Sequence, residues 1–227
     1  YVPAGSCTFN LSDPSGFAAG DTIRITRPVT PGWVRFMGMD QLVRNGRKET
    51  WISGVIVTER VIRKIVNHTV TVDVPFSDSY DARFTAPSGV TVQKVHTFGE
   101  LSQTGIEDLR IVSLPQSVTI SQQHNSAIAV SGVTDGWVRN LEIRNTVNSI
   151  GITGNRITVG NVGIMHDLPT IGAAKPADLS AGGTMILFDH CRITGDNLCF
   201  FATGARTSGP EVLLNCVFKG KGWIQPH

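Results

Sequence analysis

The chain has 227 residues, a formal net charge of +2, 17% charged and 41% hydrophobic residues, and 24 glycines. So balanced a charge excludes the broad basic surface of a dedicated nucleic-acid binder, and so apolar a composition excludes a disordered chain. No apolar run approaches the roughly 18 residues that cross a bilayer as a helix, and no secretory leader is evident. The chain opens at Tyr1 and stops at Gln225-Pro226-His227 in mid-pattern, as expected of an excised or processed piece of something longer.

Period-two alternation dominates, and glycine or proline interrupts most windows with helical spacing, so an all-β chain is expected. Residues 17–25 read as a turn leading into a strand with Ile23 and Ile25 on one face. Residues 61–65 and 70–74 alternate on either side of Asn67-His68, the pattern of a hairpin. With the polar stretch from Asp40 to Thr50, residues 1–87 are expected to form a small antiparallel barrel or sandwich. Within it, residues 31–40 gather Trp33, Phe36, Met37 and Met39 around Arg35. Such a cluster suits either the seam between two domains or one wall of a cleft, where Trp33 stacks on sugar and Arg35 meets an acid group.

From about residue 88 the chain repeats itself. Asp108-Leu109-Arg110-Ile111, Asn140-Leu141-Glu142-Ile143, Asn161-Val162-Gly163-Ile164, His190-Cys191-Arg192-Ile193 and Asn215-Cys216-Val217-Phe218 align, with the second and fourth positions apolar in every copy. The steps from 109 to 141, 162, 191 and 216 suit one coil of a parallel β-solenoid with loops of variable size. Stacked coils lie about 4.8 Å apart, so equivalent positions form inward columns. The first position, mostly asparagine, tolerates the left-handed backbone of a bend, and stacked amides can bond from coil to coil.

Residues 186–193, Ile-Leu-Phe-Asp-His-Cys-Arg-Ile, followed by Gly195-Asp196-Asn197, resemble the Trp-Ile-Asp-His-Cys stretch of pectate lyases, and residues 211–218 look like the next coil of that fold. Residues 88–227 thus resemble the pectin-lyase-like superfamily. The resemblance implies a right-handed parallel β-helix, a carbohydrate-active role, and export to the periplasm, cell surface or medium. It does not carry the best-known chemistries. Phe200 stands where pectate lyases have a calcium-binding aspartate, their Arg-x-Pro-x-x-Arg is missing, and the Asp-Asp pair and Gly-His-Gly of polygalacturonases are missing too.

If the coil register holds, Asp167, Asp196 and Lys221 line up beyond the fourth column with His166 beside them. Asp167 and Asp196 then suit a divalent cation such as calcium, although the chemistry needs no cofactor if Asp196 instead serves as the acid of a glycosidase pair. His166 or Lys175 is placed to remove a proton beside a uronate carboxylate, and Arg206 to neutralise that carboxylate. Asp178, Lys221 and His227 join Trp33 and Arg35 as candidate substrate-binding groups. The competing interpretation is that these are solvated turn and loop residues. Cys191 and Cys216 share an inward column and read more readily as stacked free thiols than as a disulfide; Cys7 and Cys199 complete the set, with no metal-type spacing. The expected function is cleavage of a polysaccharide, most plausibly a uronic-acid-containing one, by β-elimination or hydrolysis. The alternative is a non-catalytic carbohydrate-binding or structural β-helix of the adhesin or phage-spike kind. Nucleic acid and membrane are not expected partners. Further chain or another subunit is expected to cover the last coil.

Overall fold

The structure, a computed structural model, describes the chain apart from residues 42, 45, 49–51, 96–99, 117–123, 170–176, 198, 204–208 and 226–227. It forms two compact units, Tyr1–Phe98 and Gly99–His227. No helix among the described residues is long and apolar enough to cross a membrane.

The first unit is built on a five-stranded antiparallel sheet in the order Thr8–Asn10, Thr69–Val72, Val55–Val66, Thr22–Pro28 and Thr91–Lys94. The hairpin turns at Asn67, whose φ of 52° is the left-handed conformation asparagine accepts. Alternation in Thr22–Pro28 sends Ile23 and Ile25 inward against Ile62, Val70, Val72 and Phe76. Because Thr91–Lys94 pairs with Thr22–Pro28, this unit extends past residue 87. Arg60 is buried in it, satisfied by the carbonyls of Val74, Glu59 and Pro75 at 3.0, 2.7 and 3.0 Å. A short helix, Pro31–Phe36, is capped by the Thr30 hydroxyl, which accepts from the Trp33 N–H.

The second unit is a parallel β-solenoid. Its long strands Ser126–Arg144, Asn148–Met165 and Ala177–Asp189 run round the coil and pair in parallel with the coils on either side. Each coil presents three faces. Residues 126–131, 148–153, 177–182, 199–203 and 223–225 make the first. Residues 105–107, 136–139, 157–160, 186–189 and 211–214 make the second. Residues 109–112, 141–144, 162–165, 192–194 and 217–219 make the third.

The aligned tetrapeptides fall in register. Leu109, Leu141 and Val162 are stacked partners, and Ile111, Ile143, Ile164, Ile193 and Phe218 form the fourth column. Leu141 and Val162, with a coil on each side, are buried at 4% and 1% exposure, whereas Leu109 on an outer coil is 48% exposed. Each inward Ile, Leu or Val contributes about 1.5–3 kcal/mol once covered, so a coil is stable only through its neighbours. Asp108, Asn140, Asn161, His190 and Asn215 all have φ between 51° and 58° at the bend from second to third face. Their side chains continue from coil to coil: Asn140 Nδ2 donates to Asp108 Oδ1 and Asn161 Nδ2 to Asn140 Oδ1, both at 3.0 Å. All four cysteines are free, and burial pushes the Cys191 thiol up to about 12. At the bend from first to second face, a Cβ on Gly183 would lie 1.9 Å from the Gly154 carbonyl oxygen, and φ is 144°, so only glycine lets these two coils approach.

Candidate functional site

The corner after the third face brings together several residues singled out in the sequence. The His166 N–H donates to the Thr194 carbonyl and that of Gly195 to the Lys219 carbonyl, both at 2.9 Å, which stacks residues 166, 195 and 220. Asp196 Oδ1 accepts the backbone N–H of Lys221 at 2.7 Å. Asp167 turns to the preceding coil, where Arg144 holds it through two bonds of 2.7 and 3.0 Å and Asn145 Nδ2 donates at 2.8 Å. Those hydrogen bonds lower the Asp167 carboxyl to about 2. Both Asp167 oxygens thus accept from nitrogen donors of the preceding coil, while Asp196 accepts from the backbone of the following one. Among the described residues no group of three or more His, Cys, Asp or Glu side chains converges on one point.

His166 and Asp178 meet inside this corner. His166 Nε2 lies 2.7 Å from Asp178 Oδ1, and both side chains are 0% exposed. The same oxygen accepts the Ser149 hydroxyl at 2.9 Å, and Ser149 in turn bonds Thr146 at 2.9 Å. Four polar side chains thus form a buried chain across two coils, closed to solvent. Lys175, Arg206 and His227 lie outside the described residues. Trp33 and Arg35 belong to the first unit: Trp33 is buried, and Arg35, 81% exposed, lies 4.0 Å from Asp40.

The outward side of the second face carries an open groove of about 600 Å³ whose lining includes Trp137, Arg139, Asn140, Gly160, Asn161, Asp189 and His190. Alternation produces it: Val138 points inward, so Trp137 and Arg139 point out. The Trp137 ring lies over Gly105 so closely that a Cβ there would be 2.5 Å from ring atoms. Glu107 fixes the ring by accepting from Trp137 Nε1 at 3.2 Å while also pairing with Arg139, and the Arg139 guanidinium sits 5.7 Å from the indole centroid. Arg139, Gly160 and Asp189 occupy one column on successive coils. Gly160 has no side chain, so the column opens between Arg139 and Asp189 over two strand spacings, about 9.6 Å. On the far wall His190 Nδ1 lies 2.7 Å from Asp189 Oδ1, with His190 62% exposed. That contact directs the other ring nitrogen, Nε2, away from its own carboxylate.

Sequence reasoning stopped at the tetrapeptides and missed this groove. Carrying the same alignment one residue upstream places Arg139, Gly160 and Asp189 in a column, and the Trp-x-Arg alternation marks two of its outward groups. What no sequence pattern marks is that Trp137 lies flat over Gly105.

No family model and no curated protein matches the chain. Among solved structures it is similar to the gp54 tailspike of Acinetobacter baumannii bacteriophage AP22, in complex with A. baumannii capsular saccharide. There 96% of this chain aligns with 44% of that one, at 14% identity and a TM-score of 0.48. It is similar to the tailspike gp61 of Pseudomonas phage phi297, covering 97% of this chain and 46% of that one at 12% identity and a TM-score of 0.46. Tailspike gp49 of Pseudomonas phage LKA1 aligns over 96% of this chain and 45% of its own, at 17% identity and a TM-score of 0.32. The chain spans less than half the length of each.

Proposed function

We propose that the chain binds an extended polysaccharide across the second face of its solenoid and cleaves uronic-acid units there by β-elimination. The observation that carries this reading is the groove itself: a fixed indole on one wall, an aspartate-anchored histidine on the other, and a glycine floor between them. Trp137 stacks on the apolar face of one sugar ring. The next ring sits over Gly160, with its carboxylate turned to Arg139, whose charge favours the carbanion-like transition state. His190 Nε2 takes the proton from the carbon beside that carboxylate, Asp189 stabilises the imidazolium, and the bond to the leaving sugar's oxygen breaks as the double bond forms. The leaving oxygen takes its proton from water. Nothing in this scheme uses a metal. Such a substrate also places the protein at a cell surface or outside the cell.

Hydrolysis by two carboxyl groups is less well supported, because Glu107 is held by Arg139 and Asp189 by His190. A purely binding role has one observation in its favour: every charged group lining the groove already has a partner of opposite sign or a histidine beside it. The test is incubation with a panel of uronic-acid polymers, following ultraviolet absorbance of the unsaturated product, reducing ends and binding in parallel. Elimination predicts rising absorbance that His190→Ala abolishes while binding persists. Reducing ends without absorbance would replace elimination by hydrolysis, and binding without either would leave a recognition module.

A further inference from the structure

The first unit holds a cavity of about 400 Å³ lined by none of the repeat residues. Its lining includes Arg27, Trp33, Phe36, Phe84, Asp81 and Arg83. Arg27 is unusual for its position in a strand interior: its side chain is 2% exposed, and its guanidinium lies 4.2 Å from the Trp33 ring centroid. One terminal nitrogen, Nη2, is bonded to Asp78. The other, Nη1, is shut off from water and has no acceptor among the described residues. A buried donor left without an acceptor is costly, and native structures keep such groups rare. Beside it Phe36, 66% exposed, stacks on Phe84 with centroids 4.6 Å apart, presenting an uncovered aromatic surface. At the rim Arg83 is clamped to Asp81 at 2.6 Å and lies 5.4 Å from the Phe84 centroid.

We propose that this cavity is a binding site for an uncharged sugar ring, separate from the groove on the solenoid. The aromatic surface takes the apolar C–H face of the ring, and the exposed edge of the cavity takes its hydroxyls. Arg27, sealed beside the Trp33 ring, holds that ring in place, and Asp81 in the lining supplies an acceptor to a sugar hydroxyl. Charge decides the class of ligand. The two guanidiniums are each balanced by their own aspartate, Asp78 and Asp81, so neither calls for an anion, and a carboxylate would meet Asp81 in the lining. The volume suits one ring and its substituents, at the small end of ligand cavities.

The experiment is a titration of the full chain, labelled with nitrogen-15, with methyl glucoside, methyl galactoside, N-acetylglucosamine and glucuronate. The indole N–H signals of Trp33 and Trp137 report on the two sites separately. A shift of the Trp33 signal by at least one neutral sugar is expected, with roughly tenfold weaker binding in Phe36→Ala, a solvent-exposed position whose loss leaves the core untouched. Glucuronate is expected to bind Trp33's site at least tenfold more weakly. Three results each overturn the proposal: no Trp33 shift with any neutral sugar, an affinity unchanged in Phe36→Ala, or glucuronate binding as tightly as the neutral rings. A Trp33 response without any response at Trp137 to uronic-acid polymers would sink the groove and leave this site standing.

Discussion

His166 and His190 each lie 2.7 Å from an aspartate of the same solenoid, yet the two pairs occupy opposite environments. The His166–Asp178 pair is closed inside a corner and passes its hydrogen bonding on to Ser149 and Thr146. The His190–Asp189 pair stands at the edge of an open groove with one ring nitrogen toward solvent. Residue type and pairing therefore do not separate structure from chemistry in a solenoid. The corner or face on which a residue falls does. A buried pair fixes how two coils meet, and an exposed one is available to a ligand.

The largest expected effect is at the buried pair. Asp178→Ala strips Ser149 and His166 of their shared acceptor inside the fold, and is expected to cost about 3 kcal/mol in denaturant unfolding. His190→Ala is expected to cost no more than about 0.5 kcal/mol in the same measurement, because its site is exposed. Equal costs at the two positions would remove the distinction.

Filling the groove tests its other half. A Cβ on Gly160 would meet nothing closer than 3.9 Å, so Gly160→Phe fits the backbone and projects a ring between Arg139 and Asp189. Polymer binding is expected to fall at least about tenfold, or about 1.4 kcal/mol, with the melting temperature nearly unchanged. Calorimetric titration and thermal unfolding on one preparation measure both.

A third outcome concerns Glu211, which pairs in register with Ile186 beneath it in an inward column. Burial raises its carboxyl to about 7 from an ordinary value of 4.5. A raised carboxyl keeps its proton in the folded state while the unfolded chain has lost its own. Stability therefore falls as pH rises from about 4.5 to about 7. Partial exposure reduces the effect to about 1 kcal/mol, and Glu211→Gln is expected to flatten that slope in unfolding measured across the interval. The smallest effect is at Asp167. Its lowered carboxyl adds stability above about pH 4 that is lost as pH falls toward 2, so Asp167→Asn should differ from wild type at neutral pH and converge with it in acid.

The solenoid was legible because burial enforces a pattern. Leu141, Val162 and Cys191 must be apolar to stack, and Asn140, Asn161 and Asn215 must tolerate a left-handed bend, so both signals recur in the chain. The boundary of the first unit was less legible, since Thr91–Lys94 joins a sheet whose other strands end some twenty residues earlier. The corner residues were placed on the right coils, but sequence carries no sign of whether a corner faces in or out. His166 and Asp178 therefore looked like catalytic or binding groups, although the fold closes over them. The groove was hidden for the converse reason. Outward positions such as Trp137, Gly160 and Asp189 are not held to one residue type by an inward column, so they differ from one coil to the next and leave no periodic trace.

The decisive experiment is a crystal structure of the chain with an oligosaccharide cut from a polymer that it binds. Sugar rings lying over Gly160, between the Trp137 indole and His190, are the predicted result. Rings bound instead along the third face, at Arg144 and Asp167, would contradict it.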